Sequence, residues 1–470
     1  MSGRAHDHGH SRSRRNFLRG CCAAAAVAGT PALAWIDPLQ RAKGASQHNV
    51  LVYLFLRGGI DGLHLVVPYS GPERIAYANK RSDLAIPVER LRRIGSSDWG
   101  WHPRAGGGTG DPVGSAPQWL SRLYANNQVA IVHAAGMPTA VTRSHFDAQA
   151  FIELGTPGSK SGSQGWIARY LDHAGGLPTP MLSNAFGFGS TMPTSLYGRN
   201  DAISVASGQD FRLDGFHWSW NDTDAGIPGH FGAHMRVLPM WSGVSSLEQS
   251  GRAAADALEY MREIDFRAWS AGNPDGYLSE GGAVYPSSGN GATLGNQLRN
   301  IAQLVKLDMG LTVATLDYGF WDTHEGEGMP NPGVAGHYDA FGNLTEGLAR
   351  ALDAFYTDLA AAGLMDRVTV VVQSEFGRRV RPNDSGGTDH GYGNLMLALG
   401  NRVNGGMHGV FPGLDDLSLF DGQDLAVTTD YRQVLSEVLV KRMGVASGNI
   451  GGIFPGFAYD PLATAVFDAG

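Results

Sequence analysis

Acidic, histidine and arginine side chains crowd into one glycine-rich stretch late in the chain. Residues 374–394 read SEFGRRVRPNDSGGTDHGYGN and place Glu375, Asp389 and His390 directly after the apolar run VTVVVQ. Such groups at the mouth of a buried strand are costly to desolvate unless something pairs with them. The stretch therefore predicts that other polar groups, or a cation, converge on the same place.

Three further motifs carry the same residue types. They are RGGIDGLHLVVPY with Asp61, FWDTHEG with Asp322 and His324, and RSHFDAQAFIELG with Arg143, Ser144 and His145. Several carboxylates brought together repel one another by roughly several kcal/mol per pair in a partly buried site, so they protonate or a cation neutralises them. Carboxylates and imidazoles without thiolates suit zinc, manganese or calcium better than a soft metal. The predicted ligands of this divalent metal are Asp61, Asp322, His324, Glu375, Asp389 and His390.

Each motif also has a simpler interpretation. Asp61 lies beside glycine, where aspartate commonly caps a turn. Glu375 could pair with Arg378 or Arg379 in a structural salt bridge. The Asp-x-His spacing in FWDTHEG is by itself a weak metal signal, and His145 could be a ligand, a proton carrier or a packed ring. The joint occurrence of the motifs, not any one of them, favours the metal site.

The elements that would position these residues alternate along the chain. Short apolar runs bounded by turn residues predict buried strands, and the runs are HNVLVYLFLRGG, QVAIVHAAG, LTVATLDYG, RVTVVVQ and NLMLALG. Amphipathic helical segments lie between them, so we predict an α/β fold with a mostly parallel sheet and helices on both faces. Ligands of such sheets bind beyond the carboxyl ends of the strands, and four polar motifs fall there. Residues 185–291 read as an irregular insertion or cap, and 461–470 as a tail of the 48–460 domain.

Ser144 opens a predicted helix, where free backbone N–H groups favour an anion. A hydroxyl there is a candidate nucleophile, and Arg143, Arg378 or Arg379 could hold substrate oxygens through their forked donors. Ser144 could equally be a helix cap and nothing more. The sequence contains no G-x-S-x-G elbow, P-loop, dinucleotide fingerprint, CxxC or HExxH motif, which argues against those chemistries.

The first residues predict export. SRRNFL followed by an Ala-rich apolar stretch and Ala-Leu-Ala is typical of a twin-arginine signal over residues 1–34, with 35–47 as a linker. The stretch is too short for a spanning helix of about 20 residues, so we expect no stable membrane span in the mature form. Both cysteines lie in the signal. Since the signal also holds five Arg and one Asp, the mature net charge would be about −12, which argues against nucleic-acid binding.

The chain resembles an exported bacterial family labelled domain of unknown function 1501. The motifs that carry the resemblance are, in order, SRRNFL, LFLRGGIDGLHLVVPY, RSHFDAQAFIELGT, GWIARYLD, DTHEGEG, SEFGRRVRPNDSGGTDHGYGN and IFPGF. That family in turn resembles the alkaline phosphatase and sulfatase superfamily, an α/β fold whose members hydrolyse phosphate or sulfate esters at metal centres. The resemblance therefore implies an alkaline-phosphatase-like fold.

The resemblance also implies roles for single residues. Asp61 matches the ligand after the first strand, Ser144 the nucleophile, and His390 the last histidine ligand, while Asp322 and His324 match an Asp/His ligand pair. SEFG stands where the superfamily shows Ser-Asp-His-Gly, so Glu375 replaces aspartate and Phe376 replaces histidine. Phenylalanine cannot bind a metal. Asp389 could replace the lost ligand, a single metal could remain, or catalysis could be lost.

Together the sequence favours an exported, metal-dependent hydrolase of phosphate or sulfate esters. Its expected partners are the twin-arginine translocase, for the precursor, and a small-molecule or glycan ester as substrate, in the periplasm or outside the cell. The alternative is a catalytically degenerate member of the same fold that acts as a periplasmic binding or assembly protein.

Overall fold

A computed structural model describes most of the chain beyond residue 47. The described residues are 48–81, 83–106, 118–178, 183–208, 264–328 and 339–468, together with Met240, Val244, Ser245 and Glu248. The predicted signal and linker at 1–47, and much of the region 185–291 that was predicted as an insertion or cap, lie outside them.

A large mixed sheet, with strand order β11-β5-β10-β9-β1-β8-β6-β7, forms the centre of the fold. Its strands are β1 (Val50–Leu56), β5 (Val129–Gly136), β6 (Ala185–Phe188), β7 (Ile203–Val205), β8 (Val313–Tyr318), β9 (Val368–Ser374), β10 (Asn394–Leu399) and β11 (Gly406–His408), and β12 (Thr429–Asp430) pairs with β5. Only β10 runs antiparallel to its neighbours β5 and β9 among these pairs. The predicted mostly parallel α/β sheet is confirmed.

Smaller elements complete the fold. A separate three-stranded antiparallel sheet contains β2 (Val66–Pro68), β3 (Arg92–Arg93) and β4 (Trp99–Trp101). The helices are α1 (Gly62–Leu65), α2 (Gly71–Lys80), α3 (Pro103–Gly106), α4 (Trp119–Ala125), α5 (His145–Leu154), α6 (Trp166–His173), α7 (Ala292–Leu307), α8 (Ala340–Ala361), α9 (Tyr431–Lys441) and α10 (Ile450–Ile453). Within the described residues, no helix combines the length and apolar character needed to cross a membrane.

Alternate residues of β1 enter two different cores, one on each face of the sheet. Val52 and Leu54 pack into a core with helices α7 and α8, whereas Tyr53 and Phe55 pack into a core with α6 and α9. Side chains of a strand alternate between the two faces. An uninterrupted apolar run such as VLVYLFL is therefore the expected sequence of a strand that is covered on both sides.

Two parts of the predicted layout differ from the structure. Strands β6 and β7 begin the region that was predicted as an insertion, yet β6 pairs with β8 in the main sheet. The run AFGF is too short for its strand character to be recognised among the surrounding glycines and prolines. In the predicted tail, Val466 and Phe467 are fully buried in the same core as Val403, and Phe467 also forms a β-bridge with Val403.

Candidate metal centre

Adjacent strands deliver the polar motifs to one edge of the sheet. Strand β1 lies between β8 and β9, and Leu56 at its carboxyl end pairs with Tyr318 and with Ser374. The three parallel strands therefore end side by side. Asp322 and His324 follow β8, and Glu375 follows β9 directly.

Three imidazoles converge on the carboxylate of Asp322. Its Oδ1 lies 3.0 Å from His390 Nε2 and 3.1 Å from His324 Nε2, and its Oδ2 lies 3.4 Å from His145 Nε2. The Nε2 atoms of His324 and His390 are 2.9 Å apart. All three histidines thus present the same ring nitrogen to a single carboxylate.

The other nitrogen of each ring is held by an acceptor. The three pairs are His145 Nδ1 with Glu375 Oε1 at 2.7 Å, His324 Nδ1 with Asp389 Oδ1 at 3.2 Å, and His390 Nδ1 with the Arg143 carbonyl at 2.7 Å. A carboxylate or carbonyl at Nδ1 favours the tautomer with its proton there, which leaves the Nε2 lone pair free for a metal. The same arrangement is typical of histidines that ligate metals in proteins.

The charges at this edge are set by a few contacts. Burial opposes ionisation of Asp322, but hydrogen bonds with Arg378 and His390 outweigh it and lower the pKa of that carboxyl to about 2. The hydrogen bond to Glu375 raises the pKa of His145. Burial likewise opposes ionisation of Glu375, and its pKa is nevertheless lowered because it accepts hydrogen bonds from His145 and from Gln149. Both carboxylates are therefore ionised near neutral pH.

The donor set fits a divalent metal. Within the described residues, His145, Asp322 and His390 each offer one ligand atom, and these atoms lie within 4.8 Å of one another. Ligand atoms around a tetrahedral zinc ion are roughly 3.3 Å apart, given bonds of about 2.0 Å, which is close to the observed spacings. His145 Nε2 is also buried with no hydrogen-bond partner among these residues, and a cation would satisfy it.

Asp61, a predicted ligand, lies in a different environment. Its side chain is 1% exposed and forms an ion pair with Arg81, whose side chain is 0% exposed. Both carboxylate oxygens are used, because Arg81 Nη1 lies 2.5 Å from Oδ2 and Arg81 Nη2 lies 3.2 Å from Oδ1. Asp61 Oδ1 also caps helix α1 by accepting from the His64 N–H at 3.1 Å. The turn-cap interpretation therefore describes Asp61 better than the ligand interpretation.

Glu375 and Asp389 contact the imidazoles and not the centre of the cluster. Glu375 is held by the N–H of Gly58 at 2.9 Å and by Gln149 at 2.8 Å, as well as by His145. Asp389 accepts from Asn383 at 3.2 Å in addition to His324. The sequence predicted that both residues ligate the metal directly. The geometry indicates that they orient histidines instead.

The arginines differ in what they can reach. Arg378 is fully buried, and its guanidinium donates to Asp322 and to the carbonyls of Gly58, Gly59, Trp321 and Thr388. The predicted role of Arg378 in holding a substrate does not fit this burial, and its donors instead bind the loops together. Arg143 is 35% exposed and pairs with the buried carboxylate of Asp424, so it remains within reach of solvent.

Ser144 is the N-cap of α5. Its Oγ accepts from the Asp147 N–H at 3.4 Å, as the cap interpretation predicts. Phe376, which replaces a histidine of the superfamily pattern, packs its ring against His145 and His390 with centroid distances of 4.9 Å for each pair. It therefore contributes an apolar wall and no ligand.

The sequence alone left the role of His145 open, and Gln149 was not among the predicted site residues. The two residues are four positions apart on α5, so they lie on the same helical face, and both contact Glu375. That spacing in HFDAQ was the available signal, but nothing in it identifies Glu375 as the shared partner.

Comparison with known proteins adds one family. The model of the family described as "Protein of unknown function (DUF1501)" matches residues 288–451. The resemblance is confirmed over those residues, which include the loops with Asp322, His324, Glu375, Asp389 and His390. No curated protein matches the chain at a significant level.

The solved structures to which the chain is similar at low identity include the following three. The zinc complex of the periplasmic domain of EptC from Escherichia coli is 10% identical, with 76% of this chain and 74% of that chain covered and a TM-score of 0.32. A protein of the alkaline phosphatase superfamily from Vibrio parahaemolyticus is 11% identical, with 77% and 62% covered and a TM-score of 0.32. A phosphonate monoester hydrolase from Silicibacter pomeroyi is 9% identical, with 89% and 76% covered and a TM-score of 0.37. Likenesses this distant support no statement about activity.

Proposed function

We propose that this chain is a metal-dependent hydrolase of phosphate or sulfate esters. The observation that carries the proposal is the convergence of three Nε2 atoms on Asp322 while each Nδ1 is held by an acceptor. In the proposal, the ligands are Asp322, His145, His324 and His390. The set of nitrogen and oxygen donors suits zinc or manganese.

In the proposed reaction, the residues around this centre have separate roles. A bound divalent metal would polarise an ester oxygen and stabilise the charge that develops on it. Glu375 and Asp389 hold the imidazole rings in orientation. The hydroxyl of Ser144, at the N-terminus of α5, would form the new bond to phosphorus or sulfur as the bond to the alcohol oxygen breaks, and the serine proton would pass to that oxygen. Water would then cleave the ester on Ser144, which releases the anion and restores the hydroxyl. Arg143, which is partly exposed beside it, would contact the remaining anionic oxygens.

The first test compares hydrolysis by the metal-loaded protein with hydrolysis by two Ser144 variants. The substrates are 4-nitrophenyl phosphate and 4-nitrophenyl sulfate. Ser144→Ala removes both the hydroxyl and the helix cap, whereas Ser144→Asn retains a good cap but no hydroxyl. Equal loss of kcat in both variants would support a nucleophilic hydroxyl. Full activity in Ser144→Asn would reduce Ser144 to a cap and leave the nucleophile to be sought elsewhere.

A second candidate function is metal-dependent binding without turnover. It is favoured by the capping bond of Ser144 and by the burial of Arg378, since both withdraw predicted catalytic groups from a substrate. Stoichiometric metal together with no hydrolysis of either ester would support this binding function. Activity that is lost on chelation and restored by added metal would argue against it.

Export by the twin-arginine route belongs to the same proposal. It rests on the Arg14-Arg15 pair and the apolar stretch that follows it. Replacing both arginines by lysine in the full precursor should leave the protein in the cytoplasm, whereas the unaltered precursor is exported. Export of the lysine variant would contradict the proposed route.

A further inference from the structure

Glu327 is a buried acid that the proposed reaction does not use. Its side chain is fully buried, and its Oε1 accepts two hydrogen bonds, from Thr323 Oγ1 and from Thr388 Oγ1, at 2.7 Å each. In the described part of the chain, its Oε2 has no hydrogen-bond partner. One oxygen of one carboxyl therefore joins two threonines that are far apart in sequence.

The two threonines belong to the two loops that carry the candidate ligands. Thr323 stands between Asp322 and His324 in the loop formed by residues 322–327, which we call the first loop. Thr388 precedes Asp389 and His390 in the loop formed by residues 383–390, the second loop. Thr323 is thus adjacent in sequence to Asp322 and His324, and Thr388 is adjacent to Asp389.

Backbone hydrogen bonds join the same loops. The Thr388 N–H donates to the Thr323 carbonyl at 3.2 Å, and the Glu327 N–H donates to the Gly386 carbonyl at 3.2 Å. Gly387 allows this close approach, because an added Cβ there would lie 2.2 Å from the Thr323 carbonyl oxygen. To this backbone contact Glu327 adds a side-chain carboxyl oxygen that accepts hydrogen bonds from both threonine hydroxyls.

Burial of an acid at this position destabilises the folded state. Desolvation and the nearby charge of Asp61 raise the pKa of Glu327 to about 8. Removing a carboxyl from water without a paired cation costs free energy that an apolar side chain would not cost. Stability alone therefore does not explain why an acid occupies this position, whereas the joining of two hydroxyls does.

We propose that Glu327 is a positioning residue that fixes the spacing between the two loops through Thr323 and Thr388. This inference rests on the proposed metal centre, since its consequence is that Asp322 and His324 are held at ligand distance from His390. Groups beyond the ligands commonly change metal affinity without touching the metal. Glu327 would act in this way through the two threonines.

Asp358 offers a matched control in another part of the molecule. It is also fully buried, and it accepts hydrogen bonds from two hydroxyls, Tyr277 at 2.7 Å and Tyr285 at 2.8 Å. It lies on helix α8 and touches neither loop in any of these bonds. Asp358 also accepts from the Glu280 N–H at 2.7 Å and pairs with Lys306 at 2.6 Å. A variant of Asp358 therefore reports at least the cost of losing a buried carboxyl with two hydroxyl donors, without any effect specific to the candidate site.

The experiment measures hydrogen–deuterium exchange in metal-free protein and then zinc affinity by competition with a chromogenic chelator. Glu327→Ala should speed exchange about tenfold or more in both loops, because one hydrogen bond between the loops, with Thr388, and one within the first loop, with Thr323, are lost. It should also weaken zinc binding about 10- to 100-fold. Glu327→Gln retains an acceptor for both hydroxyls and should stay within about threefold of the wild type in both measurements.

The control and a double-mutant cycle separate positioning from general destabilisation. Asp358→Ala should lower the unfolding midpoint but leave zinc affinity and exchange in the two loops unchanged. Thr388→Val should weaken zinc binding in the wild type but have little further effect in Glu327→Ala, since the shared contact is already lost.

The outcomes that overturn the inference are distinct from those that overturn the metal centre. Unchanged exchange in either loop of Glu327→Ala, or an equal change in Asp358→Ala, would show that Glu327 does not join the loops. Unchanged zinc affinity in Glu327→Ala would show that the joining does not serve the site. If the wild type binds no zinc, the proposed function fails, while the exchange measurement still decides whether Glu327 fixes the loop spacing.

Discussion

Asp61 and Asp322 follow neighbouring parallel strands and reach the same edge of the sheet, yet they differ in almost every physical respect. Asp61 is closed off from solvent and neutralised by the equally buried Arg81. Asp322 has 45% of its side chain exposed and faces three imidazole Nε2 atoms. The same residue type at equivalent strand ends thus takes a structural role in one place and a candidate ligand role in the other.

The partner decides between these roles. A buried aspartate with a bidentate guanidinium has no oxygen left for a cation, and the pair is stable only while both members are present. Asp322 also contacts a guanidinium, that of Arg378, but it remains open on the side of the histidines. The comparison predicts that changes around Asp61 affect folding and that changes around Asp322 affect metal binding.

The largest effect is expected for Asp61→Ala. The variant leaves the Arg81 guanidinium buried and unpaired, which should cost about 3–5 kcal/mol in the free energy of unfolding. Urea denaturation measures that loss, and elemental analysis of the folded fraction should show an unchanged metal content. Adding Arg81→Met should recover part of the stability. A loss of metal with little loss of stability would reverse the assignment of Asp61.

His390→Ala should give the opposite result. The variant removes one of the four proposed ligands, so we expect zinc affinity to fall about 100-fold or more. The ring is at the edge of the core, and the metal-free protein should lose no more than about 1 kcal/mol in unfolding free energy. Chelator competition and urea denaturation on the same preparation give both numbers. Retained zinc affinity would exclude His390 as a ligand.

A pH dependence is expected from Glu327. Its pKa is raised to about 8 in the folded protein, so the folded state binds the proton more tightly than the unfolded state does. Stability from this group is then complete below its unfolded pKa and is lost as pH rises towards 8. Between pH 6 and 9 the free energy of unfolding of the metal-free wild type should fall by about 2–3 kcal/mol more than that of Glu327→Gln. Parallel curves for the two proteins would mean that Glu327 ionises normally.

The smallest of these effects is expected for Asp389→Ala. About half of the Asp389 side chain is exposed, and it orients His324 without ligating the metal, so its removal should weaken zinc binding only about tenfold. Stability should be nearly unchanged, because little is buried at this position. A loss as large as that of His390→Ala would restore Asp389 to the set of direct ligands, as the sequence first suggested.

The sequence was sufficient for five adjacent strands of the sheet, β5, β10, β9, β1 and β8, and for the edge at which the candidate site lies. Runs such as VLVYLFL and VTVVVQ have the composition of strands covered on both faces, and the strand ends place Asp322 and Glu375 together. It was not sufficient to separate Asp61 from Asp322, since each follows a strand and lies in a short polar motif. Arg81, which makes the difference, comes twenty residues after Asp61 and beyond helix α2, where no local pattern marks it as a partner.

The orientation of the imidazole rings also could not be predicted from the sequence. Whether a histidine presents Nδ1 or Nε2 depends on the acceptor behind it, and that acceptor comes from another loop for each of the three rings. The sequence therefore predicted Glu375 and Asp389 as ligands, whereas in the structure they contact the imidazoles of His145 and His324 and not the proposed metal position. Only the fold brings these acceptors to the rings.

The most direct test of the account is X-ray absorption spectroscopy at the zinc edge, on the mature protein loaded with one equivalent of zinc. The account predicts a first shell of nitrogen and oxygen atoms without sulfur, with the outer-shell signal of three imidazoles that falls to two in His145→Ala. A signal from fewer than two imidazoles, or one that His145→Ala leaves unchanged, would contradict the claim that the three Nε2 atoms and Asp322 form the metal site.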